Sequence, residues 1–384
     1  MDSCDVLIVG GGPAGSSCAW GLRESGLDTL VIDRCTFPRN KLCGGWITPL
    51  VFEALEIDPE SYAPGRVLQR ITGFRLSSIE ERQVDIRYGR TISYGILRCE
   101  FDEYLLRRCG ARIQEGVRFN SIQRSRDGWI VNGEIKTRLV VGAGGHFCPV
   151  SHFLGNKVSS PSVVAREIEF EMGDAEAASS SVAGELPELY FCRDMRGYGW
   201  CFRKQDVLTV GIGRIDNHGL SQHCDEFLRF LKQSRNVEVP GKGILGHAYR
   251  LFGHSQRAIL DNSILLVGDA AGLAYPESGE GIRPAIESGL IAAHSIVSAE
   301  GDYSSARLEL YRELLNTRLG HKRNALGTLA QFIPQSVREI CGRFLLRNRW
   351  FCRNVVLDRW FLRADERPLV FASEMVSPPA ATTA

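Results

Sequence analysis

The chain lacks several things. Its 12 cysteines include no Cys-x-x-Cys pair. Thiols scattered this way, in a chain this long, read as reduced and mostly buried. It has no excess of charge of either sign, with 46 basic against 45 acidic residues. No global field therefore favours nucleic acid, and no nucleic-acid partner is expected. No apolar stretch reaches the ~20 residues of a membrane span. The longest uncharged runs, such as Asn324–Val337, are half polar and carry Pro334. The eight histidines are dispersed without ligand spacing, so no metal is expected; His146 reads as a loop residue near the dinucleotide domain. There is no internal repeat. The first strand is expected to open at residue 5, leaving no room for a targeting segment, and a cytoplasmic protein is expected.

What charge there is lies unevenly. Lys322–Arg367 holds ten basic and four acidic residues, and the rest of the chain holds 36 and 41. The same segment carries Phe344, Trp350, Phe351, Trp360 and Phe361. Such a composition suits a helix lying on an anionic membrane surface, hence a peripheral membrane contact. It equally suits a solvated basic helix that packs its aromatics on the body of the protein.

The most informative segment is residues 5–33. Val6–Val9 is a continuous apolar run, as expected of a parallel strand covered on both faces. Gly10, Gly12 and Gly15 follow, in the order G-x-G-x-x-G. Gly10 allows the tight turn, Gly12 the approach of backbone to phosphates, and Gly15 the close packing of helix on strand. Pro13 suits a first helical turn, and the helix N-terminus then faces the pyrophosphate. Gly26 is placed as a helix stop. Thr29–Ile32 read as the second strand, and Asp33 at its end can accept from ribose hydroxyls. The motif alone does not separate NAD from FAD. Its position near the start of the chain favours FAD.

Residues 263–289 repeat this grammar. An apolar strand runs into Gly268-Asp269, then a loop at Pro276–Gly281, then a helix with small or apolar residues at Ile282, Ala285, Ile286, Gly289, Leu290 and Ala293. Asp269 can bind sugar-like hydroxyls. The backbone N–H groups at the helix start favour negative charge on an electron-rich ring edge.

The two motifs together resemble the FAD-binding fold of para-hydroxybenzoate hydroxylase and of the geranylgeranyl reductases. The resemblance implies that FAD is held by Gly10, Gly12, Pro13, Ala14, Gly15, Asp33 and Arg34. It implies that Gly268 and Asp269 meet the ribityl chain, and that Pro276, Gly279, Glu280, Gly281 and Ile282 lie beside the flavin pyrimidine. Leu97–Leu105 resembles the family's Arg-x-x-Phe-Asp-x-x-Leu helix start, which implies that Arg98 lies near the cofactor phosphates. Leu139–Ser151 resembles the Gly-Ala-Asp-Gly segment of the hydroxylases, with Gly144 in place of the aspartate. That exchange weakens any NAD(P)H role carried over from them.

Two further segments resemble the reductases rather than the hydroxylases. Cys43-Gly44-Gly45 matches their Cys-Gly-Gly, which implies that Cys43 sits near flavin and substrate. Its thiol could donate the proton that completes reduction of a C=C bond; otherwise it is a buried cysteine beside a turn. Tyr198, Trp200 and Phe202 alternate along one strand, as apolar wall or as sheet core. The resemblance places them in the substrate pocket, although Arg203 stands where the reductases carry proline.

The expected fold is α/β: a Rossmann-like FAD domain (1–70, 95–160, 250–300) interleaved with a mainly antiparallel-sheet substrate domain (70–95, 160–250). A helical C-terminal segment (300–376) and a disordered tail (377–384) complete it. Val164–Phe170 and Leu208–Gly213 are expected as alternating strands, and Gly173–Gly184 as a loop. The expected function is an FAD-dependent oxidoreductase reducing C=C bonds of an isoprenoid-like or other hydrophobic substrate. A flavin monooxygenase for an aromatic or polyketide, or a non-catalytic FAD-bound redox sensor, would share the fold. No separate NAD(P)H domain with its own glycine fingerprint is present, which leaves NAD(P)H as a transient electron donor, or a partner protein.

Overall fold

The computed structural model describes residues 1–79, 81–157, 162–215, 219–253, 257–320 and 334–371. Its first sheet is built around the strand Asp2–Val9. That strand runs parallel to Ile135–Gly142 on one side and to Thr29–Asp33 on the other. Ile264–Leu266 and Arg112–Glu115 extend the parallel sheet outward. Val6, Leu7, Ile8, Leu30, Val31 and Ile32 are wholly buried. This is why the sequence shows unbroken apolar runs here and not an alternation.

The helices that follow the two glycine motifs, Pro13–Leu22 and Ile282–Ser298, pack on each other through small residues. A Cβ on Gly289 would strike the Ala14 carbonyl oxygen, and one on Gly21 would stand 2.7 Å from Ala293 Cβ. Gly15 is closer still to its surroundings, since a Cβ there would overlap the carbonyl oxygen of Gly10. The two motifs, some 250 residues apart in the chain, thus become one layer.

The second sheet has seven strands in the order Leu245–Tyr249, Val163–Glu171, Val207–Arg214, Gly197–Lys204, Glu188–Phe191, Gly73–Ser78, Val84–Arg87. Neighbours are antiparallel except Glu188–Phe191 with Gly73–Ser78. Alternation along Gly197–Lys204 separates its faces. Gly199 takes the ring of Phe227 from the helix Leu220–Arg235, while the Trp200 ring lies over Gly211 on the opposite face. A three-stranded antiparallel sheet, Trp46–Ile47, Ser93–Ile96 and Leu68–Ile71, joins the two larger sheets in sequence.

Several local expectations are corrected. Val207–Arg214 is buried at every position, because helix Leu220–Arg235 covers one face and the Trp200 side covers the other. Gly173–Gly184 contains a helix, Asp174–Ser179, whose alanines and first-turn acids Asp174 and Glu176 favour it. The first helix ends at Leu22, before Gly26, which takes a positive φ in the following turn. The C-terminal segment is helical at Ser305–Leu319, Gln335–Leu345 and Arg349–Phe361, the last continuing as π-helical turns. Its aromatics divide: Phe361 is buried and Phe351 and Trp360 pack on the second sheet's core, while Phe344 and Trp350 are exposed. The tail 377–384 lies outside the described residues. No helix among them is long and apolar enough to cross a membrane, and no histidine, cysteine and carboxylate cluster among them could hold a metal.

Candidate active site

One cavity of about 460 Å³ runs from the glycine turn to the face of the second sheet. At one end the wall is Gly10, Gly12, Pro13 and Ala14, with Asp33 and Arg34 beside them. Gly10 has φ +118°, and a Cβ there would come within 2.5 Å of the Ala143 carbonyl oxygen, so only glycine makes this turn. Asp33 locks it: its carboxylate accepts from Gly11 N at 2.8 Å and from Cys35 N at 2.8 Å. The N-terminus of helix Pro13–Leu22 opens into the cavity with no acidic residue in its first turn.

Asp269, Gly279, Glu280, Gly281 and Ile282 line the middle. Burial raises the Asp269 carboxyl, and the Lys41 ammonium opposes the shift. Burial pushes Glu280 up to about 7, with Arg283 pulling the other way. Gly15, Gly268 and Pro276 do not reach the wall. Gly15 is the helix contact described above. Gly268, at φ +59°, packs under Ala14 and Ala285 and donates its N–H to Ser288 Oγ at 2.9 Å. Pro276 is half-buried in the loop before Gly279.

Cys43, Gly44 and Gly45 form the next stretch of wall, facing Tyr198, Trp200 and Phe202. A Cβ on Gly44 would stand 3.2 Å from the Phe202 ring, so the glycine lets the loop lie against the aromatics. The Tyr198 hydroxyl donates to the Ser278 carbonyl and ties this wall to the loop before Gly279. Phe361, from the C-terminal segment, closes the apolar end and touches Tyr198 with ring centroids 5.5 Å apart. Burial raises the Cys43 thiol above its ordinary range, and the Arg98 guanidinium beside it pulls it down. The thiol therefore keeps its proton at neutral pH. Arg98 itself is buried and forked onto Asp102 at 2.7 and 2.8 Å.

Sequence reasoning missed Glu167, Lys41, His247 and Tyr249, all on the wall. Glu167 is 4% exposed and accepts the Cys43 N–H at 2.7 Å. Burial pushes it up to about 7, which the Lys204 ammonium partly offsets. Lys41 Nζ lies 3.3 Å from His247 Nδ1, and burial together with that ammonium drops the imidazole to about 3, so His247 is neutral. The only sequence signal for Glu167 was an acid at an inward position of a strand, two residues after Ala165.

This cradle suits a dinucleotide: a Cβ-free turn, a helix N-terminus, and Arg34, Arg39 and Lys41 around it. Residues 3–315 match the FAD binding domain family. The chain belongs to that family. Its cofactor is FAD. The chain is 28% identical over 371 residues to the digeranylgeranylglycerophospholipid reductase of Methanococcus vannielii, covering 88% of this chain and 93% of the relative. It is 27% identical over 322 residues to a menaquinone reductase of Mycobacterium tuberculosis, covering 78% of each. A solved geranylgeranyl bacteriochlorophyll reductase-like protein of Thermoplasma acidophilum superposes with a TM-score of 0.71 at 22% identity, over 90% of this chain and 88% of that one. The FAD-binding fold read from the two glycine motifs is thus present. The wall residues that would hold FAD are Gly10, Gly12, Pro13, Ala14, Asp269 and Gly279–Ile282.

Proposed function

We propose that this protein is an FAD-dependent reductase of C=C bonds in an isoprenoid-chain lipid. One observation carries the reading: a single cavity joins the dinucleotide cradle, Cys43 and an aromatic wall. The names of the two relatives, one a geranylgeranyl glycerophospholipid reductase and one a menaquinone reductase, support that substrate class. Reduced FAD, when bound, supplies a hydride.

The chain's own residues do the rest. Tyr198, Trp200, Phe202 and Phe361 hold the polyisoprenoid by apolar contact and exclude water. Gly44 and Gly45 let the loop bring Cys43 against it. Cys43 Sγ gives its proton to the carbon that does not receive the hydride. Arg98 limits the rise of the thiol, so that its proton can leave. NAD(P)H or a partner protein serves as the electron donor through transient contact.

The exposed C-terminal helix supports a peripheral contact with an anionic membrane. Gln335–Leu345 has no buried residue, and Val337, Ile340 and Phe344 are exposed beside Arg338 and Arg343. Flotation with vesicles should show binding to anionic lipid and little to zwitterionic lipid.

The experiment for the reaction is anaerobic. The FAD-loaded protein is reduced by light and given a geranylgeranyl glycerophospholipid, and the lipid is weighed by mass spectrometry. A gain of two hydrogens per double bond supports the reductase. No reduced lipid, with oxygen incorporated into an added aromatic substrate once air is admitted, replaces it with a monooxygenase.

A further inference from the structure

Glu167 is a buried acid that the reaction above does not use. It sits on the strand Val163–Glu171, within the cavity wall and next to the reacting cysteine. Its Oε1 is 2.7 Å from Cys43 N. A cysteine Sγ stays within roughly 4 Å of its own N by covalent geometry, so carboxyl and thiol lie within about 7 Å, a gap that a chain of one or two waters can bridge.

The charged groups around Glu167 come from every element packed on it. Glu169 is on its own strand, Lys204 on Gly197–Lys204, Arg98 on the helix Arg98–Arg107, and Cys43 on the loop. Tyr249 of Leu245–Tyr249 also faces it. Lys204 spends its ammonium elsewhere, on Glu169 Oε2 at 2.6 Å and on the carbonyls of Gly44 and Ile96. Among the described residues no cation makes an ion pair with Glu167. Burial without a paired cation keeps a proton on such an acid up to about neutral pH.

We propose that Glu167 returns a proton to Cys43 after each reduction. This rests on Cys43 being the proton donor. In the reduction, two electrons and a hydrogen arrive as hydride at one carbon. The S–H bond of Cys43 breaks and a C–H bond forms at the other carbon, leaving a thiolate. The O–H bond of Glu167 then breaks, the S–H bond re-forms, and the Glu167 carboxylate takes its next proton from solvent. Glu167 acts through Cys43 and is a positioning residue: it also fixes the loop by accepting the Cys43 N–H.

Glu167→Gln separates the two roles, because the amide oxygen still accepts that N–H but carries no exchangeable acid. The first readout needs no turnover. The FAD-loaded protein is treated with iodoacetamide across pH 5–9, and Cys43 alkylation is followed on its own peptide. In the wild type, loss of the Glu167 proton near pH 7 places a charge beside the thiol. Its reactivity should therefore lag around pH 7. In Glu167→Gln the lag should vanish, and alkylation above pH 8 should be several-fold faster. The second readout compares turnovers with the geranylgeranyl lipid. The variant should match the wild type in the first turnover and fall about tenfold behind in steady state.

A wild-type alkylation profile without the lag overturns the proposal, and so does a steady state unchanged by Glu167→Gln. A wild type that reduces no lipid, yet shows the lag, overturns the substrate reading and leaves the coupling of the two groups standing.

Discussion

The backbone N–H of Cys43 donates to Glu167 Oε1 at 2.7 Å. This bond joins the glycine-rich loop that follows the first βαβ unit to the second sheet. It fixes where the thiol stands between the cofactor cradle and the aromatic wall. The predictions that follow depend on that placement.

Cys43→Ala should retain FAD, because the cradle is built from other residues. Lipid reduction should fall about 100- to 10,000-fold, the range for loss of a proton-transfer group. The flavin absorbance of the purified variant and its product yield check both halves.

Gly10→Ala places a Cβ against the Ala143 carbonyl at a backbone angle of φ +118°. The expected cost is at least about 1–3 kcal/mol of strain, with loss of the turn at the glycine end of the cavity. The protein should melt lower and purify without its yellow colour. A yellow variant with unchanged melting would show that the turn tolerates a side chain.

Trp200→Ala removes a large part of the apolar wall. At roughly 25 cal/mol per Å² the lost contact with lipid is worth about 1.5–3 kcal/mol, or about a 10- to 100-fold rise in KM. FAD content should not change. Steady-state kinetics with lipids of different chain length would show the effect growing with the apolar length held in the cavity.

Glu280 gives a pH dependence with a definite sign. Its folded-state value is raised from 4.5 to about 7 by burial. Below about 4.5 the acid is protonated in both folded and unfolded chains and costs nothing. As pH rises the unfolded chain ionises first, so stability falls, and the cost is complete above about 7. At 1.36 kcal/mol per unit it reaches about 3 kcal/mol. Glu280→Gln should therefore melt at nearly the wild-type temperature near pH 5 and clearly above it near pH 8. A difference that does not change with pH would refute the assignment.

Arg283 ties the C-terminal segment to the cofactor helix. It bonds Glu287 at 2.9 Å and Glu366 at 2.6 Å and is 1% exposed. Arg283→Ala removes one of the two arginines on buried Glu287, which keeps Arg318 at 2.6 Å, and should cost about 1.5–3 kcal/mol. Limited proteolysis should then cut near residues 363–371 sooner than in the wild type.

Much of this architecture was legible in the sequence because it is local. Strand, glycine turn, helix, second strand and Asp33 lie within 30 residues, and each has its own physical signature. The aromatic face of Tyr198, Trp200 and Phe202 was legible from its period of two. The motifs did not distinguish wall from packing: Gly15 and Gly268 serve helix contacts, and Asp33 bonds Gly11 N. Glu167, Tyr249 and Phe361 were not legible. They reach the cavity through long-range register, Glu167 by pairing opposite Gly211 and Leu245, and Phe361 by return of the C-terminal segment. Nothing near them in the chain reports that pairing.

The most direct test is stopped-flow reoxidation of light-reduced protein under nitrogen, with and without a geranylgeranyl lipid, in the wild type and in Cys43→Ala. The account predicts that lipid reoxidises the wild-type flavin with two hydrogens gained per double bond, and that Cys43→Ala keeps its flavin reduced. A wild-type flavin that stays reduced until oxygen enters, or a Cys43→Ala variant as fast as the wild type, would contradict it.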